Sequence, residues 1–389
     1  MANAVDRVAS IGDDAAAALS QKARALARET RNAISTSRTW NFEKLLGNGS
    51  YGVTVLLSER DPLRPRRSRK VVLKRPLRGE IGLNDFIREA RLLDTLRGHA
   101  HIVQLINFAE DVTSFQQGKG KVTRMLKRML AAFKKPQANL FGDLSQGNGP
   151  AILLEYLENG DLLRVVKHIY YRRDQLPNRL LWGWYHCLVR ACIAMTYAKE
   201  ELVPSMELEM LRGDQEHLRL VHDDIAARNV MIGEFDPLVK EHRATPKLTL
   251  IDFGLARQLP LGREKEAEDR NLQEVNMLML DLINPRIRMD GRGIYPHEWN
   301  GIRTIAAGLF DERRLCLLDR ELRTLLAQSF RITNNGEPFR RPSLAETFER
   351  TRRGILKPPE SYQSPIRESD DYIRARLQRI LLDADNELP

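Results

Sequence analysis

Cysteine, aromatic residues and long apolar runs are all scarce in this 389-residue chain. Its three cysteines, Cys187, Cys192 and Cys316, follow no metal-ligand spacing and are too few for a disulfide framework, so we expect them to be core residues in a reducing compartment. No apolar run reaches the roughly 18 residues of a membrane span, and acidic residues stand where a signal peptide has its apolar segment. The sequence therefore predicts a cytoplasmic or nuclear protein without a transmembrane segment.

Acidic residues are outnumbered by basic ones, which gives a net charge of +10 at pH 7. Much of the excess lies in RPRRSRK at residues 64–70 and in GKGKVTRMLKRMLAAFKK at residues 118–135. Aromatic residues make up 6% of the chain and do not alternate with the arginines, which argues against a stacking platform for single-stranded nucleic acid. We interpret both stretches as solvated loop charge and expect no specific nucleic-acid binding.

Two polar motifs carry the chemistry of the chain. VHDDIAARNV at residues 221–230 and LTLIDFGLAR at residues 248–257 space Asp224, Asn229 and Asp252 as phosphoryl transfer requires. In-line transfer needs one carboxylate near the incoming hydroxyl and oxygen ligands that hold Mg²⁺ against the phosphates of ATP. These segments resemble the catalytic loop and the DFG motif of protein kinases, a family whose remaining motifs lie upstream in a fixed order.

The glycine-rich motif FEKLLGNGSYGVTVLL places Gly47, Gly49 and Gly52 between two apolar runs, a pattern typical of a hairpin that approaches phosphates closely. A simple tight hairpin explains this pattern equally well. The strand KVVLK then ends in Lys74, and helical spacing of apolar residues places Glu89 on the next helix. The resemblance implies that Glu89 holds Lys74 on the α- and β-phosphates; the alternative is a surface ion pair.

The segment AILLEYLENGDLL at residues 151–163 resembles the strand and hinge where protein kinases bind adenine. A buried strand followed by a turn is the simpler alternative, but six motifs in the order of the family favour the kinase interpretation. The resemblance implies that Leu154 lies at the back of the pocket. It assigns nucleotide binding to Gly47, Gly49, Gly52, Val72, Lys74, the backbone of Glu155 and Leu157, and Asp161, which would accept from a ribose hydroxyl.

The resemblance implies an α+β, bilobal protein kinase-like fold, with a small β-rich N-lobe that has one main helix and a larger α-helical C-lobe. We expect a helical extension at 1–38, the N-lobe at 39–158 with an insertion at 111–149, the C-lobe at 159–357, and a tail at 358–389 with an amphipathic helix. Apolar periodicity predicts C-lobe helices in LLWGWYHCLVRACIAMTYA and NLQEVNMLMLDLI, and the tail helix in YIRARLQRILLDA.

Three positions depart from the family pattern. Asp223 stands where most protein kinases have an arginine that pairs with a phosphate on the activation segment, and residues 255–294 contain no serine, threonine or tyrosine. We therefore predict activity that is independent of phosphorylation in this segment. The A-P-E motif is missing, which weakens the case for a peptide substrate. Ala226 replaces the usual lysine, and Arg228 could supply its charge.

The resemblance implies an ATP- and Mg²⁺-dependent phosphotransferase that acts on a hydroxyl of a protein serine, threonine or tyrosine. Asp224 would orient the hydroxyl and take its proton, while Asn229 and Asp252 would hold Mg²⁺. A nucleotide-binding pseudokinase scaffold is an alternative, supported by the lost arginine and the missing docking motif. A small-molecule kinase is another, because choline and aminoglycoside kinases also use an H-x-D-x-x-x-x-N loop. The oligomeric state stays open.

Overall fold

The computed structural model describes residues 21–37, 39–49, 52–60, 68–77, 80–109, 150–198, 209–211, 216–285, 295–311, 315–333 and 340–383. The predicted insertion at 111–149 and most of the first basic stretch lie outside these ranges. The described residues form two compact units, one with residues 21–97 and 104–156 and one with residues 98–103 and 157–383. Among the described residues, no helix has both the length and the apolar composition needed to cross a membrane.

The first unit is built on a five-stranded antiparallel sheet with the strand order β1-β2-β3-β5-β4. Its strands are β1 (Trp40–Gly49), β2 (Gly52–Glu59), β3 (Lys70–Pro76), β4 (Leu105–Ala109) and β5 (Ala151–Glu155). The central strands are rich in Val, Leu and Ile, as expected for strands with apolar residues on both faces. The glycine-rich motif forms the β1–β2 hairpin, in which Gly49 pairs with Gly52.

Helix α1 (residues 21–35) and helix α2 (Glu80–Thr95) complete the first unit. One sheet face and α1 share a core that includes Leu26, Ile34, Val55 and Leu73. Arg75, next to Lys74 on β3, donates to the Thr30 hydroxyl of α1 at 2.8 Å. Because side chains alternate along a strand, Lys74 belongs to the other face of the sheet. The part of the extension that the structure describes is therefore a layer of the N-lobe core.

The second unit is mainly helical. Its helices are α3 (Leu162–Arg172), α4 (Asn178–Thr196), α5 (Glu264–Ile283), α6 (Arg320–Ser329), α7 (Leu344–Ile355) and α8 (Asp370–Asp383). All but one residue of α4 are buried, as its apolar sequence predicts, because other elements surround the helix. Helix α7 packs so closely on α4 that a Cβ atom at Gly354 would lie 2.3 Å from the ring of Trp182.

Short antiparallel pairs in the second unit hold its loops. They are β6 (Leu220–Val221) with β9 (Arg257–Gln258), β7 (Val230–Ile232) with β8 (Leu248–Leu250), and β10 (His297–Trp299) with β11 (Ile302–Thr304). A small unit with an antiparallel sheet and a larger helical unit confirm the predicted α+β, bilobal kinase-like fold class. The expectation of a core position for all three cysteines is wrong for Cys316, which lies in an exposed turn before α6, while Cys187 and Cys192 are buried.

Candidate active site

In the glycine hairpin of the first unit, the space available for a side chain differs between Gly52 and Gly47. A Cβ atom built on Gly52 would lie 2.2 Å from the carbonyl oxygen of Arg75 on the neighbouring strand β3, so packing alone demands glycine there. A Cβ atom on Gly47 would meet no atom of the described residues within 4 Å. Packing of the described residues therefore gives no reason for glycine at position 47.

Lys74 and Glu89 form an ion pair between β3 and α2. The Lys74 ammonium donates to both carboxylate oxygens of Glu89, at 2.6 and 2.8 Å. Their side chains are only 11% and 3% exposed, so the pair is buried and the surface-pair alternative does not hold. Helix α2 presents Glu89 from the same side as its buried residues Phe86, Ala90 and Leu93. The helical spacing predicted from the sequence thus turns the Glu89 carboxylate towards Lys74 of the sheet.

The residues assigned to the nucleotide occur in both units. Val72 is half-buried on β3 opposite Leu154 of β5, and Glu155 ends β5 in the first unit. The Glu155 N–H donates to the carbonyl of Gln104 at 3.1 Å. In the second unit Leu157 is half-buried, and Asp161 caps α3 by accepting from the Arg164 N–H at 3.2 Å. Asp161 therefore has a structural task besides the predicted ribose contact.

His222 joins the catalytic loop to the DFG segment of the second unit. It is fully buried, its Nε2 lies 3.1 Å from the carbonyl oxygen of Ile251, and its ring packs edge-on against Phe253 at 4.7 Å. Burial lowers the pKa of His222 to about 4, so the ring is neutral at pH 7 and Nε2 donates to the carbonyl. A neutral, fully enclosed imidazole supports the loop and does not carry protons.

The carboxylate of Asp224 is held from both sides. One oxygen accepts from the side-chain amide of Asn229 at 2.7 Å, and the other accepts from the Arg228 guanidinium. The same Asn229 amide also donates to the Asp224 carbonyl at 2.9 Å. Asn229 is buried, whereas Arg228 is more than half exposed. Three of the predicted site residues thus form one hydrogen-bonded group with Asp224 at its centre.

Asp252 follows β8 at the end where β7 begins. Val230 pairs with Leu250, and the Ile251 N–H donates to the Asn229 carbonyl at 2.9 Å. Asn229, just before β7, and Asp252, just after β8, therefore lie at the same end of this strand pair. Asp252 has φ +62°, a left-handed conformation that costs on the order of 1–3 kcal/mol and that clusters at functional sites. An amide and a carboxylate at one edge are a donor set that suits Mg²⁺.

Asp223, the residue that replaces the family arginine, is itself paired with arginines. Its carboxylate accepts from Arg257 Nε of β9 at 2.6 Å and lies 3.6 Å from Arg270 of α5. Its φ of +58° is again left-handed, which Asp tolerates better than most residues. The acid therefore ties the segment after the DFG motif to the catalytic loop.

Two residues of α5 that the motif analysis missed anchor the catalytic loop. Asn271 accepts the His222 N–H at 3.0 Å and donates to the Leu220 carbonyl at 2.7 Å. Glu274 accepts the Ile225 N–H at 2.8 Å, and burial raises its pKa. The signal available in the sequence was a polar pair three residues apart on the predicted apolar helix, which places both on one face.

A search of curated proteins finds no match to this chain. The family model described as protein tyrosine and serine/threonine kinase matches residues 40–280, more than half of the chain and the range that contains every predicted site residue. The chain therefore belongs to the protein tyrosine and serine/threonine kinase family.

Proposed function

We propose that the protein is an active kinase that transfers the γ-phosphoryl group of ATP to a hydroxyl of a protein side chain. The observation that carries this proposal is the hydrogen-bonded group around Asp224, with Asn229 adjoining Asp252. A carboxylate held by two donors is preorganised to accept a proton, and strained backbone at Asp252 is a feature of working sites. The buried pair of Lys74 and Glu89 adds a fixed cation.

Each residue has one task in this proposal. Asp224 orients the acceptor hydroxyl and takes its proton, and Arg228 supplies positive charge beside it. Lys74, positioned by Glu89, binds α- and β-phosphate oxygens. Asn229 and Asp252 would hold Mg²⁺. The nucleotide contacts fall to Gly47, Gly49, Gly52, Val72, Glu155, Leu157 and Asp161. Mg·ATP, when bound, supplies the phosphoryl group and neutralises charge on its oxygens.

The activation segment would work without a phosphate. The Asp223–Arg257 pair gives the segment after the DFG motif a fixed attachment to the catalytic loop. Arg257 and Arg270 already have Asp223 as an anionic partner, and residues 255–294 contain no hydroxyl to carry a phosphate. Phosphatase treatment of the purified protein is therefore expected to leave its turnover unchanged. Loss of turnover, with a phosphosite mapped near this segment, would contradict this part of the proposal.

Turnover of Mg·ATP by the purified full-length chain tests the proposal. Autophosphorylation and phosphorylation of a peptide library are measured for the wild type, Asp224→Asn and Asp252→Ala. Loss of a general base typically costs a hundred- to ten-thousand-fold in rate, so Asp224→Asn should retain nucleotide binding and lose turnover. Asp269→Asn is the matched control, because Asp269 is an exposed acid on α5 that should leave turnover intact.

The other outcomes identify the alternatives. Nucleotide binding with the same background turnover in all four proteins would favour a pseudokinase scaffold. Turnover on choline or an aminoglycoside, absent from the peptide library and sensitive to Asp224→Asn, would favour a small-molecule kinase. Either result would overturn protein phosphorylation as the function, and the second would keep the assignment of Asp224.

A further inference from the structure

A second cluster of chemically active side chains lies in the helical unit, in residues that the proposed kinase site does not use. His101, Cys187 and His242 each present one nitrogen or sulfur atom, and these three atoms all lie within 4.8 Å of one another. All three residues are buried. The rings of His101 and His242 meet edge to face with their centroids 5.4 Å apart. Two imidazoles and a thiol are the ligand types that zinc prefers.

Glu209 fixes the orientation of the His101 ring. One of its carboxylate oxygens lies 2.6 Å from His101 Nδ1, and the other accepts the His101 backbone N–H at 2.9 Å. Metal-binding histidines usually donate their other ring N–H to such a carboxylate, which fixes the tautomer. With Nδ1 engaged by Glu209, His101 Nε2 is the atom that faces the cluster.

Three buried ring nitrogens of the cluster have no oxygen or nitrogen partner among the described residues. His101 Nε2 and both ring nitrogens of His242 make no hydrogen bond to an oxygen or nitrogen of the described residues. Their polar neighbour is the Cys187 thiol. A thiol is a weak hydrogen-bonding group, so a bound ion would give one nitrogen of each histidine a stronger partner.

The backbone around each ligand is held in place. Cys187 lies in the middle of the buried helix α4. The His101 carbonyl accepts the Leu250 N–H at 2.9 Å, and the His242 N–H donates to the Val239 carbonyl at 2.9 Å. Arg190, one turn along α4 from Cys187, is paired with Glu241 at 2.6 Å, so its charge is compensated. The site is therefore preformed, and metal binding needs no reordering of these segments.

We propose that His101 Nε2, Cys187 Sγ and a ring nitrogen of His242 bind a Zn²⁺ ion, with Glu209 as the residue that positions His101. The Cys187–His101 pair loses one proton to solvent on binding, so that a thiolate and two neutral imidazoles bind the ion. Water or another donor completes the tetrahedron. The ion would link residues 98–103 to helix α4. The chain segments on both sides of residues 98–103 belong to the first unit. This proposal does not depend on kinase activity.

Metal analysis of the full-length chain tests the site. We expect stoichiometric zinc in protein purified from zinc-supplemented cells, and about tenfold or greater loss of zinc affinity in Cys187→Ser and Glu209→Gln. Cys192→Ser is the matched control, because Cys192 is a buried free cysteine on the same helix, outside the cluster. It should bind zinc like the wild type.

Cobalt substitution gives a measurement that does not depend on the folding of any variant. Removal of zinc from the wild type and addition of Co²⁺ should produce a thiolate-to-cobalt charge-transfer band and raise the melting temperature. Absence of this band, or zinc retention by folded Cys187→Ser equal to that of Cys192→Ser, would overturn the proposal. The cluster would then be a thiol–imidazole hydrogen-bond group without a metal.

Discussion

The ion pair of Lys74 and Glu89 shows how a single buried contact can serve both stability and function. Both oxygens of the carboxylate are used, and both side chains are nearly inaccessible to water. Removing one partner of such a pair leaves an uncompensated buried charge, whereas replacing both by apolar groups can be neutral. The pair therefore has a stability effect that can be separated from its proposed role in phosphate binding.

We predict that Lys74→Met and Glu89→Gln each lower the free energy of unfolding by about 3–5 kcal/mol. The double variant Lys74→Met/Glu89→Leu should recover most of this loss and still lack turnover. Urea unfolding and Mg·ATP turnover measure the two effects. Arg88→Met, which removes the exposed Arg88–Asp85 pair of the same helix, should cost less than about 1 kcal/mol. Additive losses in the double variant would contradict the prediction.

The Asp223–Arg257 pair concerns activity more than stability. Both side chains are partly exposed, and such pairs contribute about 0.2–1 kcal/mol. We expect Asp223→Asn and Arg257→Gln each to lower turnover by up to about fivefold, the rate equivalent of about 1 kcal/mol, with no further loss when they are combined. Arg263→Gln, which removes an exposed pair with Glu266, serves as the control. Independent effects that multiply in the double variant would mean that the pair is not a functional unit.

At the scale of elements, α1 is the distinctive addition to the N-lobe. It covers the sheet face opposite Lys74 with buried residues such as Leu26 and Ile34, and Thr30 and Glu29 engage the buried Arg75. The sequence predicts a helical extension at 1–38 but does not identify the surface on which it packs. Arg75 lies 45 positions from Thr30 and 46 from Glu29, and local periodicity carries no information about such contacts.

We predict that Leu26→Ala and Ile34→Ala each destabilise the first unit by about 2–5 kcal/mol, because each leaves a cavity between α1 and the sheet. Arg28→Ala, at an exposed position of the same helix, should change stability by less than about 0.5 kcal/mol. Urea unfolding of the full-length chain provides the comparison. Equal stability of all three variants and the wild type would show that α1 adds nothing to the N-lobe core in solution.

For the whole molecule, buried neutral histidine links stability to pH. The pKa of His222 is lowered from 6.5 to about 4, so the unfolded chain binds a proton in this interval that the folded protein does not. This contribution to stability is complete above pH 6.5 and falls as the pH decreases towards 4. Between pH 7 and pH 5 the loss amounts to about 2 kcal/mol, since one pKa unit corresponds to about 1.4 kcal/mol.

We therefore expect the unfolding free energy of His222→Gln to depend less on pH than that of the wild type, by about 2 kcal/mol between pH 7 and pH 5. Urea titrations at several pH values in this interval measure the slope. The variant itself starts from a lower stability, because it loses the packing on Phe253. Parallel slopes for the two proteins would mean that His222 already titrates normally in the fold.

Most of the kinase-like architecture follows from local pattern. The hairpin glycines, the strand that ends in Lys74 and the helical phase of Glu89 are short-range features, and the structure has the elements where the pattern places them. The anchors on α5 were harder to predict because Asn271 and Glu274 bind backbone groups 49 residues away in sequence. Similarly, Asp223 was recognised as a departure from the family, but its arginine partners were not.

The sequence by itself determined the family, the lobes and the order of the motifs, because periodicity and motif spacing are properties of neighbouring residues. Only the tertiary structure decided which charges are paired and which are buried. Asp223 contacts Arg257, Arg75 contacts Thr30, and His101 lies beside Cys187, although each pair is far apart in the sequence. Such pairings depend on how the elements pack. A polar group that packing buries must find a partner, because burying it without one costs energy, and the local sequence does not identify that partner.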